Sequence, residues 1–347
     1  MLALRWHGRR DIRLDDVPVP SLDDRRDVLL RVLAAGICGT DLEEWLEGPV
    51  SVRVPEGRQA VTLGHEILAE VVETTPHVAS LSPGDRVAVE VNLTCDECDL
   101  CRRGRSNVCR RTVALGLQDD GGIAEMLVAP ADACVRLSGP ASDLDAVLAE
   151  PLAVAIHAVD LAAPRPGSRA LVIGGGAIGQ LLLRVLAERG VRAALREPDP
   201  FRRRIAQDAG FAAFASTAEL DEATEWAGRL DVVFEAAGHA AAVEDAVDVV
   251  APGGCVIVLG VSGEPVRIDA WRLMERELSI RASLSHTLRD FRRAVELIET
   301  ERISVADLLT HTVPLTEAPH AFDLLASRAE KVLKCVIVPG VGAGVRR

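Results

Sequence analysis

Between Arg169 and Leu183 the chain reads RALVIGGGAIGQLLL, in which Gly174-x-Gly176-x-x-Gly179 follows a compact apolar run and opens an amphipathic one. A lone GxGxxG says little, but between a strand and a helix it dictates one strand–turn–helix unit of a parallel sheet. Gly174 allows the tight turn, Gly176 lets the backbone approach a pyrophosphate, and Gly179 lets the helix pack closely on the strand. The unpaired N–H groups at the helix N-terminus then face the diphosphate. Eighteen residues past Gly179, at the end of VRAALRE, stands Glu197, a carboxylate suited to the adenine ribose hydroxyls. It repels a 2′-phosphate and favours NAD, while Arg196 and the run Arg202-Arg203-Arg204 leave NADP open. The bland alternative is an ordinary glycine turn before a buried helix. Strand, glycines, helix and acid falling in order argue against it.

The surroundings extend the pattern. From Leu152 onward, apolar strands (RALVIG, VRAALRE, LDVVFEAAG, CVIVLGV) alternate with helical segments such as AAVEDAVDVV, as βαβ units require. Before Glu150-Pro151 the chain is instead rich in short β-like runs, DVLLRVLAAGI, AVTLGHEILAEVVE and GDRVAVEV, set off by Pro, Gly and Asp. After Leu284, LRDFRRAVELIETERI reads as a helix with Phe291, Ala294, Val295, Leu297 and Ile298 on its apolar face, and KVLKCVIVP as a final strand. The 347 residues suffice for two domains of about 150 each. The expectation from these patterns is an α/β chain with a strand-rich, barrel-like first half and βαβ units on a parallel sheet from Leu152 onward.

Four of the eight cysteines, Cys95, Cys98, Cys101 and Cys109, fall in CDECDLCRRGRSNVC. This C-x2-C-x2-C-x7-C spacing suits four thiolates around one tetrahedral Zn²⁺ with no open position, a structural site in a lobe over about 92–112. Arg102, Arg103 and Arg105 would offset its negative charge. A redox dithiol competes, yet four thiols within fifteen residues exceed what it needs. A nucleic-acid zinc ribbon needs a basic face, and this chain has 39 Lys+Arg against 52 Asp+Glu, a net charge of −13. Cys134, Cys255 and Cys335 show no metal spacing and read as buried thiols.

Two absences narrow the chemistry. There is no tyrosine, so a catalytic phenol is excluded, and Lys331 and Lys334 are the only lysines, which leaves Schiff-base chemistry few candidates. The N-terminal MLALRWHGRRDIRLDD lacks the apolar core of a signal peptide, and ALVIGGGAIGQLLL is too short to span a bilayer. A soluble, cytoplasmic protein without a membrane or nucleic-acid partner is expected.

Five further segments, with the glycine fingerprint and the cysteine lobe, carry a resemblance that runs nearly end to end. They are GICGTD at Gly36 to Asp41, GHE at Gly64 to Glu66, DGGIAEML at Asp120 to Leu127, EPLAVAIHAV at Glu150 to Val159 and APGGCVIVLG at Ala251 to Gly260. The chain resembles the zinc-dependent medium-chain dehydrogenases, the alcohol, polyol and threonine dehydrogenase group. ALRWHG, CGTDLEEWLEGP and EPLAVAIHAV are most similar to its 2,3-butanediol and sorbitol branch. The resemblance implies a GroES-like β-rich catalytic domain formed by 1–151 with 288–347, joined to a Rossmann dinucleotide-binding domain, a doubly wound parallel sheet, over 152–287. It also implies two zincs per chain, a nicotinamide cofactor, a small alcohol or ketone substrate, and a homodimer or homotetramer.

It further implies a catalytic zinc whose ligands lie far apart in the chain. Cys38 and His65 match two ligands, and Glu150 matches the carboxylate ligand of the polyol and threonine dehydrogenases. Glu66 matches the glutamate that completes the site or exchanges with its water. Thr40 matches the hydroxyl that takes the alcohol proton. Five residues after Cys38, where many relatives carry a proton-relay histidine, this chain has Glu43, which either relays protons or is a solvated helix residue. Ile178, Arg202, Leu259, Gly260, Val261, Ser283 and Leu284 match positions that touch the cofactor, beside Gly174, Gly176, Gly179 and Glu197. Trp45 falls where relatives place side chains near the substrate, and it equally suits apolar packing.

The implied reaction moves a hydride between a secondary alcohol and NAD, with zinc activating the hydroxyl. Without tyrosine, the phenol-dependent short-chain dehydrogenases and aldo-keto reductases are excluded. Two other readings stay open. One is a biosynthetic dehydrogenase for an amino-cyclitol, aminosugar or other complex alcohol, which the acidic EEWLEG segment suits. The other is a catalytically silent nucleotide-binding scaffold, against which intact Cys38, Thr40, His65 and Glu150 speak.

Overall fold

The computed structural model describes residues 1–139, 144–260, 263–327 and 331–340, so Val261 lies outside the described residues. Two compact units result, Met1–Glu150 with Thr287–Arg347, and Pro151–His286.

DVLLRVLAAGI supplies the central strand of the first unit, Val28–Gly36. Val28, Leu30, Val32 and Ala34 are buried while Arg31 is exposed, the period of two that a strand with one covered face requires. Glu66–Thr74 lies antiparallel on one side of it and Lys334–Val338 antiparallel on the other. Arg86–Val89, Cys134–Arg136, Leu309–Pro314 and Met126–Ala129 complete that sheet. Leu30, Ile67, Val87, Leu127, Phe322 and Ile337 meet in the core beneath it.

AVTLGHEILAEVVE does not form one strand. Val61–Thr62 pairs with Leu2–Gly8 in a separate three-stranded sheet, and the larger sheet takes over at Glu66. The break falls at Gly64, whose φ is +97° and whose missing side chain leaves the space that Ile123 fills. His65 is thereby delivered to the end of the sheet. The cysteine lobe is closed at its base by the ladder of Asn92–Leu93 with Val113–Ala114.

Thr287 and Asp290 cap the helix Leu288–Glu299 reciprocally, each side chain accepting from the other's backbone N–H. Phe291, Ala294, Val295, Leu297 and Ile298 are all buried, the stripe expected from the sequence.

The second unit is a six-stranded, wholly parallel sheet. Its order is Ala212–Phe214, Arg192–Arg196, Arg169–Ile173, Leu230–Glu235, Val250–Val258, Ser279–Ala282. The chain thus runs outward from Arg169–Ile173 in both directions, and the strand order reverses between that strand and Leu230–Glu235. Dinucleotides lie across the carboxyl ends of strands at such a reversal. Ala170, Leu171, Val172 and Ile173 are all buried, as a sheet covered on both faces demands. Among the described residues no helix is long and apolar enough to cross a membrane.

Candidate active site and metal centres

The four lobe sulfurs converge. Sγ–Sγ distances are 3.4 Å for Cys95–Cys109, 3.5 Å for Cys98–Cys101, and 3.9 Å for both Cys95–Cys101 and Cys98–Cys109. Tetrahedral thiolates about 2.3 Å from a zinc lie roughly 3.8 Å apart, so the set fits that ion closely. Burial opposes ionisation of Cys109, yet the N–H groups around it lower its pKa to about 6; burial and the neighbouring thiols push Cys101 up to about 12. The arginine that reaches the thiols is Arg111, which the sequence reading did not single out. Its N–H donates to Cys109 Sγ at 3.4 Å, and its guanidinium hydrogen-bonds Glu97 and lies against Cys95.

The second set is assembled by strand register. Gly36 pairs with Glu66 across the antiparallel ladder, which places the segment after Gly36 beside the turn that carries His65. Cys38 caps the helix Gly39–Leu46, and its Sγ is 3.9 Å from Thr40 Oγ1. Asp41, fully buried, accepts the Cys38 N–H at 2.9 Å through Oδ2 and holds Oδ1 3.4 Å from His65 Nδ1. With Nδ1 turned to a carboxylate, the imidazole keeps Nε2 for a metal. Burial disfavours the His65 imidazolium, but Asp41 and Cys38 overcome this and raise its pKa well above the ordinary value.

Glu66 is also fully buried. Its Oε1 accepts from Lys334 Nζ at 2.5 Å, and its Oε2 has no partner, standing where a Cβ on residue 36 would be. Gly36 is therefore a steric necessity of the Glu66 carboxylate. Lys334 also donates to the Ile37 carbonyl at 3.2 Å. Burial would lower the Lys334 pKa, but Glu66 first, then Cys38 and Glu150, raise it. One ammonium thus lies within electrostatic reach of three of the four residues matched to the catalytic zinc.

These residues do not close as tightly as the lobe. Among the described residues, the four cysteines are the only group with all ligand atoms within 4.8 Å of one another. The donor set of thiol, imidazole and carboxylate, with a buried unpartnered Glu66 oxygen, nevertheless suits a zinc with an open position.

Neither Asp41 nor Lys334 was given a role from sequence. The one available signal for Lys334 was composition, since this chain uses arginine almost everywhere. The EEWLEG segment offers less free charge than its sequence suggests. Glu44 is buried and accepts the N–H groups of Val50, Ser51 and Val52, and Glu47 pairs with Arg9. Trp45 packs edge-on against Phe322 at 6.0 Å, with the rings perpendicular. Cys134 and Cys335 are buried thiols as expected, pushed by burial to about 12 and about 11, whereas Cys255 is only half-buried.

In the second unit Gly176 precedes the helix Ala177–Glu188 with no side-chain cap, and a Cβ there would meet nothing within 4 Å. That open backbone, with uncapped N–H groups behind it, fits a diphosphate. A Cβ on Gly179 would fall 1.9 Å from the Gly174 carbonyl oxygen, so the helix does pack against its own turn. Ile178 lies in the first turn of that helix. Glu197, buried, accepts Gly175 N–H at 2.6 Å and Asp199 N–H at 2.8 Å.

The nearby arginines are mostly engaged. Arg196 binds Thr217 and Asp245, Arg203 the carbonyls of Glu197 and Pro198, and Arg204 Asp208; Arg202 Nη1 stands 3.9 Å from Glu197 Oε2. Leu259 and Gly260 donate to the Glu235 carbonyl, and Ser283 to that of Val258, while Leu284 is exposed.

The chain is similar to known proteins over nearly its whole length. Residues 24–139 match the alcohol dehydrogenase GroES-like domain, and residues 144–337 match the glucose dehydrogenase C-terminus. A probable D-xylulose reductase A from Arthroderma otae is 32% identical, covering 97% of this chain and 96% of its own. A Sinorhizobium meliloti 1021 protein, assigned as a zinc-binding dehydrogenase and solved bound to NADP, is 31% identical with a TM-score of 0.88, over 97% of this chain and 99% of that one. The 2R,3R-butanediol dehydrogenase of Bacillus subtilis is 26% identical with a TM-score of 0.89, over 98% and 99%. The chain belongs to the zinc-dependent medium-chain alcohol dehydrogenase family, and it is an oxidoreductase that interconverts alcohols and ketones.

Proposed function

We propose that the protein interconverts a small secondary alcohol of the diol or polyol class and its ketone, using NAD and two zincs per chain. The observation that carries this reading is the register that brings Cys38, His65 and Glu66 to one end of the sheet, with Thr40 Oγ1 3.9 Å from Cys38 Sγ. Cys38, His65 and Glu150 would hold the catalytic zinc, Glu66 would complete it on exchange, and Cys95, Cys98, Cys101 and Cys109 would hold the structural one. A zinc held at the first set supplies Lewis acidity, which lowers the pKa of an alcohol hydroxyl toward neutrality. Thr40 would accept the hydroxyl proton as its own hydroxyl proton leaves toward Glu43. Glu43, three residues on along the same face of the helix Gly39–Leu46, passes it outward.

Turnover with D-xylulose, acetoin and their alcohols, with sorbitol, and with amino-cyclitols tests the reading. The names of the relatives make the first two the expected substrates. Zinc-loaded protein that turns over none of them would sink it. The amine-bearing class draws no support from Glu44, which the backbone consumes.

Glu43 gives a pH signature. Burial first, and then Glu44, raise its pKa, so the side chain stays protonated to higher pH than an ordinary glutamate. It accepts a proton only when ionised, so kcat for alcohol oxidation should fall as pH drops through that raised value. In Glu43→Gln this acid limb should vanish and kcat above it should fall on the order of 10²-fold. An unchanged pH–rate profile would assign Glu43 to the solvated surface.

NAD is preferred because two backbone N–H groups fix the Glu197 carboxylate, which cannot turn aside for a 2′-phosphate. Glu197→Ala should lower the preference for NAD over NADP by about tenfold or more, the worth of a hydrogen bond to a charged group. Unchanged discrimination in cofactor titrations would transfer the role to Arg202.

A homodimer is proposed through the sheet edge Ser279–Ala282, next to which Trp271, Met274 and Leu284 are exposed. A single-chain mass in sedimentation equilibrium would refute it. The four-thiol lobe is suited to a reducing compartment, which supports a cytoplasmic location.

A further inference from the structure

Glu235 is a fully buried carboxylate at the carboxyl end of Leu230–Glu235, beside the reversal in strand order. It has no part in the reading above. Its Oε1 accepts two backbone N–H groups, from Ala237 and Gly238, each at 2.8 Å. Its main-chain carbonyl accepts two more, from Leu259 at 2.9 Å and Gly260 at 3.1 Å. Oε2 is buried without a partner and lies 2.7 Å from where a Cβ on residue 260 would stand. That same Cβ would meet the Gly238 backbone nitrogen at 2.3 Å, and one on Gly174 would meet the Ala237 nitrogen at 2.7 Å. Three loops at the carboxyl edge therefore touch backbone to backbone: the first fingerprint glycine, residues 236–238, and residues 259–260. One side chain ties the second of these to the strand, and its own backbone ties the third.

We propose that Glu235 is a positioning residue for the dinucleotide, setting the loops 236–238 and 259–260 against Gly174 so that their backbone is already in place for the cofactor. This rests on the dinucleotide reading of the second unit. What the loops need is reach and two lone pairs on one oxygen, and the negative charge is incidental. A buried N–H that loses its acceptor carries the full cost of its desolvation, so a loop losing two would leave this arrangement for water.

Two conservative variants separate the possibilities. Glu235→Gln keeps the reach and the acceptor and loses the charge, while Glu235→Asp keeps the charge and shortens the reach by one methylene. NADH binding is read by fluorescence titration, alongside kcat at saturating cofactor and the zinc content. The expected result is that Glu235→Gln binds within about threefold of the wild type. Glu235→Asp should bind on the order of 10-fold or more weakly, with kcat at saturation and both zincs retained. Equal affinity in all three proteins overturns the proposal, as does the reverse order, in which Glu235→Gln is the weak binder and charge is what matters. Wild-type protein that binds neither NADH nor NADPH overturns the underlying reading instead, and is told apart by needing no variant.

Discussion

Cys38→Ala should abolish turnover while leaving the cysteine lobe intact. Cys38 is the only thiol among the residues matched to the catalytic zinc, and its partners do not close into a ready-made cage. Without the thiolate, a carboxylate already committed to Lys334, one imidazole and Glu150 must hold the ion, so the zinc content should fall from two per chain to one. The lost Lewis acidity is worth several kcal/mol of charge stabilisation, which corresponds to a fall in kcat on the order of 10³-fold or more. NADH affinity should stay close to wild type, because every residue of the glycine loop lies in the second unit. Metal analysis by mass spectrometry, run beside a stopped assay, checks both halves. A variant that keeps two zincs, or that keeps its rate with one, would show that the catalytic ion has been placed on the wrong residues.

The parts of this molecule that were readable from sequence are those in which local spacing carries the chemistry. The cysteine lobe depends on offsets of three, three and eight residues, and its sulfurs do converge. The glycine fingerprint depends on a turn and one helical repeat, and Gly179 does pack against Gly174. The second ligand set is different, because it is made by the pairing of Gly36 with Glu66 and of the 334–338 strand with the same central strand. No local pattern states which residues will face each other across a ladder, so Cys38 and His65 were reached only through likeness to a family. Asp41 and Lys334 went unassigned for the same reason. Lys334 lies 268 positions from Glu66, and only the parallel and antiparallel strands of the finished sheet bring it there.

The glycines show the same division. Gly174, Gly176 and Gly179 could be read because a motif gives each a job. Gly36 sits in GICGTD with a backbone that does not require glycine, since its φ is not in the left-handed region. Its reason is the carboxylate of a residue thirty positions away occupying the place of its side chain. Charge was equally opaque. Glu43, Glu44 and Glu47 are near neighbours, yet one is raised in pKa by burial, one is consumed by three backbone N–H groups, and one meets an arginine at the surface.

Lys334→Met follows from that geometry and should be the most destabilising single change in the first unit outside the metal ligands. Glu66 is fully buried and Lys334 almost so, and the pair is joined at 2.5 Å with the Ile37 carbonyl as a second acceptor. Methionine nearly matches the lysine stem in volume, so packing changes little and the missing ammonium dominates. Removing one partner of such a pair leaves an uncompensated buried charge, at a cost of about 3–5 kcal/mol. The companion variant Glu66→Gln/Lys334→Met leaves no charge behind and should recover most of that loss. The two single variants, Lys334→Met and Glu66→Gln, and the double variant together therefore give a large coupling term in a double-mutant cycle. Urea denaturation followed by the emission of Trp6, buried in the core of this unit, and Trp45, half-buried against it, supplies the free energies. Simple additivity of the two single substitutions would mean that Lys334 acts on Glu66 only through packing. The carboxylate would then be held by the slot above Gly36 rather than by the ammonium.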